Sequence, residues 1–335
     1  MIKIMKFMFY IIMMLGTLIS ISAFSWFNIW IGLELNLLAF IPIINYDNFK
    51  YSSEVALKYF LVQVSASLFI LFSFIYSLML NSSLEQMEML PMFMFNSAIL
   101  MKMGAAPFHF WYPEIAEGLS WMNLLVLMTW QKIAPMVLIM YNFSMNLMFC
   151  LIILMSMILS SMKSWNQTNL KKILVLSSIN HTGWMLSMMF LNQSLWMLYF
   201  MIYSFITINM IYIFNKFKIF YLNDLFNLMN YNKYMKMFYF FNFFSLGGIP
   251  PFLGFFPKWL ALKIMLENNL FLLAFLMIFL TLIFLFIYMR LIIQALLFKM
   301  YNKKPFKTYK LPFIFYINWI NLTGLVMFTM IFSMY

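Results

Sequence analysis

Four ionisable side chains stand inside stretches that otherwise carry no charge. Glu34 sits in Trp-Ile-Gly-Leu-Glu-Leu-Asn-Leu-Leu, and Lys132 in Leu-Met-Thr-Trp-Gln-Lys-Ile-Ala-Pro. Lys102 precedes Met-Gly-Ala-Ala-Pro-Phe, and Lys258 follows Gly-Gly-Ile-Pro-Pro-Phe-Leu-Gly-Phe-Phe-Pro. A charge at bilayer depth costs about 2.5–3.5 kcal/mol on insertion scales, so a chain rarely keeps one without a use. Three amines and a carboxylate can do one kind of chemistry well, the uptake and release of protons. A buried amine beside a carboxylate keeps its proton, and one beside a second amine gives it up. Toggling one partner therefore changes the proton affinity of the next. The competing account is a set of static ion pairs that fix helix packing.

His181, in Ser-Ser-Ile-Asn-His-Thr-Gly-Trp, adds a fifth candidate. Ser177, Ser178, Asn180 and Thr182 surround it, and an imidazole titrates near neutral pH, which suits a relay along a water chain. A hydrogen-bonded packing histidine explains it equally well. His109 has the aromatic neighbours Phe108, Phe110 and Trp111 and reads as part of an interfacial belt. Lys58 and Glu54 are four apart and should pair on one helix face. Lys263 reads as an exit group or a snorkelling residue and Arg290 as a snorkelling residue, and Glu114 and Glu117 as acids of a solvated loop or proton collectors at a channel mouth.

These groups need helices that cross a membrane. The chain is 65% hydrophobic and only 9% charged, against about 25% charged in a soluble domain. Such a chain is all-α and polytopic, with lipid as its solvent. A span needs about 20 apolar residues, and about eleven stretches qualify: 7–24, 25–45, 54–80, 91–112, 121–142, 143–162, 170–191, 193–215, 236–266, 270–298 and 311–334. Alternating these spans puts every loop lysine, from Lys3 to Lys310, on the N-terminal side. The other side receives only Glu85, Glu88 and Glu267. That asymmetry is the positive-inside pattern. The longest polar connection, about residues 216–236, is too short for a soluble domain.

Two spans carry the same interruption. Residues 104–108 and 248–252 both read G-x-x-P-F. Gly104, Pro107, Gly247, Gly248, Pro250 and Pro251 should break their helices, because Gly admits unusual backbone angles and Pro removes a donor. The breaks lie five spans apart, so alternation places them in opposite orientation. That is the pattern of an inverted repeat with broken helices, here 7–142 and 143–298, followed by a final helix 311–334 in a single membrane domain. Two ordinary proline kinks are the plainer account.

Several functions are disfavoured. The single cysteine, Cys150, allows no internal disulfide, and two histidines are too few for a di-haem protein. The sequence has no GxGxxG or Walker A motif, so no nucleotide cofactor is expected on this chain, and no metal either. The net charge of +12 follows from topology lysines, so nucleic acid is not an expected partner.

The stretches 32–36, 102–111, 127–135, 177–184 and 245–259 resemble the subunit 2 family of mitochondrial NADH:ubiquinone oxidoreductase, respiratory complex I. The likeness runs in order from about residue 15 to residue 260, and the final seventy residues match in character only. The resemblance implies an antiporter-like core subunit of the membrane arm, moving protons while quinone is reduced elsewhere. It implies roles for Glu34 and Lys102 as a glutamate–lysine pair, Lys132 as a central relay and Lys258 as a terminal lysine. His181 matches a histidine on a hydrated axis. It implies cofactors of the whole complex (NAD, FMN, iron–sulfur clusters, ubiquinone) but none on this chain. Subunits 4 and 4L, accessory subunits and inner-membrane lipids such as cardiolipin are the implied partners. The N-terminus is expected in the matrix and the C-terminus in the intermembrane space. Bacterial relatives have fourteen helices, and the resemblance implies a chain without the first three, as in animal versions. Its Met-rich style, with lysine for almost every basic residue, fits an arthropod organelle genome. A free-standing cation/proton antiporter of the same fold, or a purely structural membrane subunit, are the alternatives.

Overall fold

The computed structural model describes residues 2–46, 51–79, 89–141, 147–231, 233–297, 318–325 and 329–330. Among these residues the chain is helical, with one isolated antiparallel bridge between Asn169 and Tyr221. It divides into two compact units, Met1–Met145 and Asn146–Tyr335.

The first unit begins with α1 (Ile2–Ser22), α2 (Trp26–Asn45) and α3 (Ser52–Met79). Ser25 starts α2, its hydroxyl accepting from the Asn28 N–H at 3.3 Å, as an N-cap should. In lipid there is no hydrophobic drive between helices, so close packing and small residues do the work. Gly16 and Ser20, one turn apart on α1, face Gly32 on α2. A Cβ added to Gly32 would lie 2.6 Å from the Ser20 nitrogen and 2.8 Å from the Gly16 oxygen. Gly32→Ala therefore forces two backbones apart. The expected cost is about 1–3 kcal/mol, as for other overpacked cores, read as a lower melting temperature of the purified assembly.

The rest of the unit is shorter helices. α4 (Met89–Met103) stops at the first break, and α5 (Trp111–Gly118) follows. α5 buries Tyr112, Ile115 and Ala116, an i, i+3, i+4 stripe that packs against α3. Glu114 and Glu117 are on this helix and not in a loop, with their side chains exposed. α6 (Trp121–Met128) and α7 (Trp130–Tyr141) divide the fifth candidate span at Thr129. The Thr129 hydroxyl donates back to the Leu125 carbonyl at 2.8 Å, a competition with the backbone that bends helices. Asn123 on α6 is fully buried. It donates to the Ile43 carbonyl at 3.2 Å and accepts from the Tyr10 hydroxyl at 3.0 Å, so α1, α2 and α6 meet on one amide.

The second unit holds α8 (Leu147–Ser164), α9 (Leu170–Leu191), α10 (Gln193–Phe217), α11 (Leu222–Tyr231), α12 (Lys233–Gly247), α13 (Phe255–Glu267) and α14 (Phe271–Leu297). α9 is its centre. It is buried along almost its whole length and touches α8, α10, α13 and α14. Protein on all sides explains why it tolerates Ser177, Ser178, Asn180, His181 and Thr182 at mid-depth. By contrast α14 is strongly apolar, with an exposed face of Phe275, Phe279, Leu282 and Phe286. The connection at 216–236 is not plain loop but contains α11. The Asp224 carboxylate accepts from the Phe220 and Tyr221 N–H groups at 3.4 and 3.2 Å as that helix starts.

Eight helices among the described residues are long and apolar enough to cross a membrane, and Leu90–Met103 is a shorter apolar helix. Of the final candidate span, 311–317, 326–328 and 331–334 lie outside the described residues; 318–325 is helical. Glu85, Glu88 and Lys50 also lie outside them.

Candidate functional site

In the first unit, α4 ends at a tight reversal of backbone. Gly104 has φ +69° and the Ala106–Pro107 bond is cis. A side chain at Gly104 would meet both the unfavourable φ and the Tyr112 ring at 3.2 Å. Lys102 is 7% exposed and lies in the last turn of α4. The Gln63 amide of α3 donates to the Lys102 carbonyl at 3.3 Å, which serves a helix end whose carbonyls lack intrahelical partners. Trp111 Nε1 likewise donates to the Met101 carbonyl at 3.2 Å.

Glu34 is half-buried on α2. Its Oε2 is buried without a hydrogen bond. Among the described residues no ion pair joins Glu34 to Lys102. Lys132 lies on α7, 1% exposed, with its amine 5.3 Å from the centre of the Tyr112 ring. A ring face offers a buried ammonium partial compensation.

A small cavity adjoins these groups, lined by Asn36, Tyr59, Gln63, Lys102, Gln131 and Pro135 among others, with a volume of about 10 Å³. That is close to the minimum for one water. Gln131, next to Lys132, donates to the Asn36 side chain at 2.9 Å, so the helices bearing Glu34 and Lys132 are joined by a neutral polar bridge.

The second unit repeats the break. α12 ends at Gly247, and Gly248 follows with φ +77° and a cis Pro250–Pro251 bond. Lys258, on the first turn of α13, reaches back over the gap. Its amine donates to the Gly247 carbonyl at 2.8 Å and to the Leu246 carbonyl at 3.4 Å. The lysine thereby satisfies the free carbonyls and the negative dipole end of α12. Gly248 makes room for it, since a Cβ there would lie 2.8 Å from Lys258 Cδ and 3.0 Å from Nζ. His181 is 7% exposed on α9, with Nδ1 2.9 Å from the Tyr199 hydroxyl and its ring centre 5.1 Å from that of Tyr203. α13 packs on α9, so His181 and Lys258 stand on neighbouring helices.

Several neighbours of these groups carry no signal in the sequence. Tyr112, Tyr199 and Gln63 reach their partners through tertiary packing alone. His109 is fully buried, with Nδ1 3.2 Å from the Pro107 carbonyl and its ring on Phe110 at 4.6 Å. Lys58 pairs with Glu54 at 3.0 Å, as its spacing suggests, and also approaches Glu114 at 3.8 Å. Lys263 lies 4.0 Å from Glu267. Arg290 does not merely snorkel: it donates to the Trp165 carbonyl and lies over that indole ring.

The family model described as NADH:quinone oxidoreductase/Mrp antiporter, TM matches residues 23–285. NADH-ubiquinone oxidoreductase chain 2 of Anopheles gambiae is 46% identical, with 98% of each chain covered. The chain of that name from Aedes aegypti is 44% identical over the same shares, and that from Locusta migratoria 40% over 88% and 86%. Among solved structures, a chain of respiratory complex I from Thermus thermophilus superposes with TM-score 0.85 at 20% identity, covering 96% of this chain and 78% of that one. A chain of the Mrp complex from Dietzia gives TM-score 0.73 at 12% identity, over 84% and 59%. These two likenesses show the antiporter-like fold, and the insect sequences decide the relationship. The chain belongs to the NADH-ubiquinone oxidoreductase chain 2 family.

Proposed function

We propose that this multi-pass membrane protein is a core membrane-arm subunit of respiratory complex I in the inner mitochondrial membrane. It moves protons through Glu34, Lys102, Lys132 and Lys258 while electrons pass from NADH to ubiquinone on other subunits. The observation that carries this reading is the burial of three lysine amines at helix interruptions, in a chain of this family. Lys102 and Lys258 each border a break with a left-handed glycine, and Lys132 lies just past the break at Thr129. A broken helix at membrane depth persists where protein or a hydrated cavity satisfies its backbone. The first unit supplies a water-sized polar cavity, and the second a lysine on the free carbonyls.

A recharging of Glu34 by a neighbouring subunit changes the field at Lys102, which in turn biases Lys132 and then Lys258. His181 and the Tyr199 hydroxyl extend the polar path in the second unit. The proposed repeats are 7–142 and 143–298, and the division of the chain into two units between residues 145 and 146 supports that reading. The lysine-rich loops face the matrix by the positive-inside pattern, and NAD, FMN, iron–sulfur clusters and ubiquinone belong to other parts of the complex. Subunits 4 and 4L and anionic inner-membrane lipid such as cardiolipin are the proposed neighbours.

A free-standing antiporter would present carboxylates to a metal cation, whereas Glu34 is the one acid at mid-span in the sequence. Native electrophoresis of mildly solubilised membranes separates the two. The complex I reading predicts this chain in the high-mass band that stains for NADH dehydrogenase. A chain running alone, without that activity, would establish the antiporter instead.

A further inference from the structure

Four asparagines of the second unit are fully buried: Asn209 on α10, Asn242 on α12, and Asn318 and Asn321 on the helical stretch 318–325. An amide moved into hydrocarbon without partners is costly, so their grouping is not incidental. They meet side chain to side chain. Asn242 Oδ1 accepts from Asn209 Nδ2 at 2.8 Å and from Asn321 Nδ2 at 2.7 Å, and Asn209 Nδ2 also donates to Asn318 Oδ1 at 3.1 Å.

Asn321 has a second contact. Its backbone carbonyl accepts from the Leu253 N–H at 3.2 Å, and Leu253 lies in the turn between α12 and α13. One residue thus holds both sides of the second break, α12 through Asn242 and the turn through Leu253. Gly324, nearly one turn further on, leaves the space that Leu253 occupies, since a Cβ there would lie 2.1 Å from Leu253 Cδ1. The Lys258 amine crosses the same gap to Gly247. Where a helix is broken, its own ladder does not fix the distance between the halves; side contacts must.

We propose that Asn209, Asn242 and Asn321 are positioning residues for Lys258. The amide cluster holds the end of α12 and the following turn in register, so that the Gly247 carbonyl stays within reach of the lysine. The asparagines carry no proton themselves and act only through Lys258. The proposal rests on the reading of Lys258 as a proton carrier.

The test uses the whole complex, reconstituted in liposomes, with protons pumped per NADH oxidised as the readout. That ratio is not moved by a change in the amount of assembled enzyme. Asn242→Leu removes the acceptor shared by Asn209 and Asn321, and its ratio is expected to fall to that of Lys258→Met while NADH oxidation continues. Asn242→Asp keeps the accepting oxygen and replaces Nδ2, which has no hydrogen-bond partner, so it is expected to restore the ratio. If Asn242→Leu does not assemble, Asn321→Ser loses one bond without added bulk and should show a smaller loss in the same direction. A wild-type ratio in the Asn242→Leu or Asn321→Ser complex, with a lowered one in Lys258→Met, overturns the positioning role alone. Equal losses in Asn242→Leu and Asn242→Asp overturn it too. A wild-type ratio in Lys258→Met overturns the reading of Lys258 itself and the proposal with it.

Discussion

Lys132→Met stops proton movement through this subunit while leaving the complex assembled. Methionine is close to lysine in length and suits the buried site, so helix packing around α7 survives the change. What disappears is the exchangeable proton. Lys132 stands 5.3 Å over the Tyr112 ring, and the side chain next to it, Gln131, is a neutral amide bonded to Asn36. Neither Tyr112 nor Gln131 is a ready substitute for an amine near neutral pH, and the expected loss of flux through this subunit is at least about tenfold, equivalent to about 1.4 kcal/mol on the barrier. Proton uptake by reconstituted complex during NADH oxidation checks it. If the lysine only fixed packing, flux would be retained.

Gly254→Ala has the largest structural effect. Gly254 precedes α13, and a Cβ there would lie 1.7 Å from the Ser245 carbonyl oxygen and 2.6 Å from its carbon. Backbone cannot yield as a side-chain tip can, so α12 and α13 must separate. Overpacking of this kind costs on the order of 3 kcal/mol, and it strikes the gap that Lys258 spans. The expected result is a several-fold loss of this chain from the assembled complex. Gly247→Ala, seven residues earlier, is the control. Its nearest neighbour would be Tyr288 Cδ2 at 3.5 Å, an ordinary contact, so assembly should be near normal. Equal behaviour of the two variants would contradict the close approach at the second break.

The contrast between these glycines marks what a sequence can and cannot say. The repeated G-x-x-P-F locates both breaks, because Gly and Pro act on the backbone locally wherever they occur. It does not say that Gly248 takes the left-handed conformation, that Gly247 merely ends α12, or that Gly254 is needed for close approach. Those differences arise from which atoms come near in space. The long apolar runs locate the helices for the same local reason. Thr129 was not legible: the breaker beside it, Pro135, lies inside α7, and the interruption comes from a threonine hydroxyl competing for Leu125. The buried lysines were legible because charge in an apolar run is rare whatever the fold. Their partners Tyr112, Gln63 and the Leu246 and Gly247 carbonyls were not, because helix packing brings the ring, the amide and the two carbonyls in from other segments.

The central claim is that the buried amines exchange protons, and not that they hold a fixed charge. Lys132→Arg separates these most directly. Arginine keeps the positive charge but does not release its proton in proteins. The relay predicts that assembled Lys132→Arg complex, reconstituted in liposomes, pumps as few protons per NADH as Lys132→Met. A ratio equal to that of the unaltered complex would contradict the relay and leave Lys132 as a static charge.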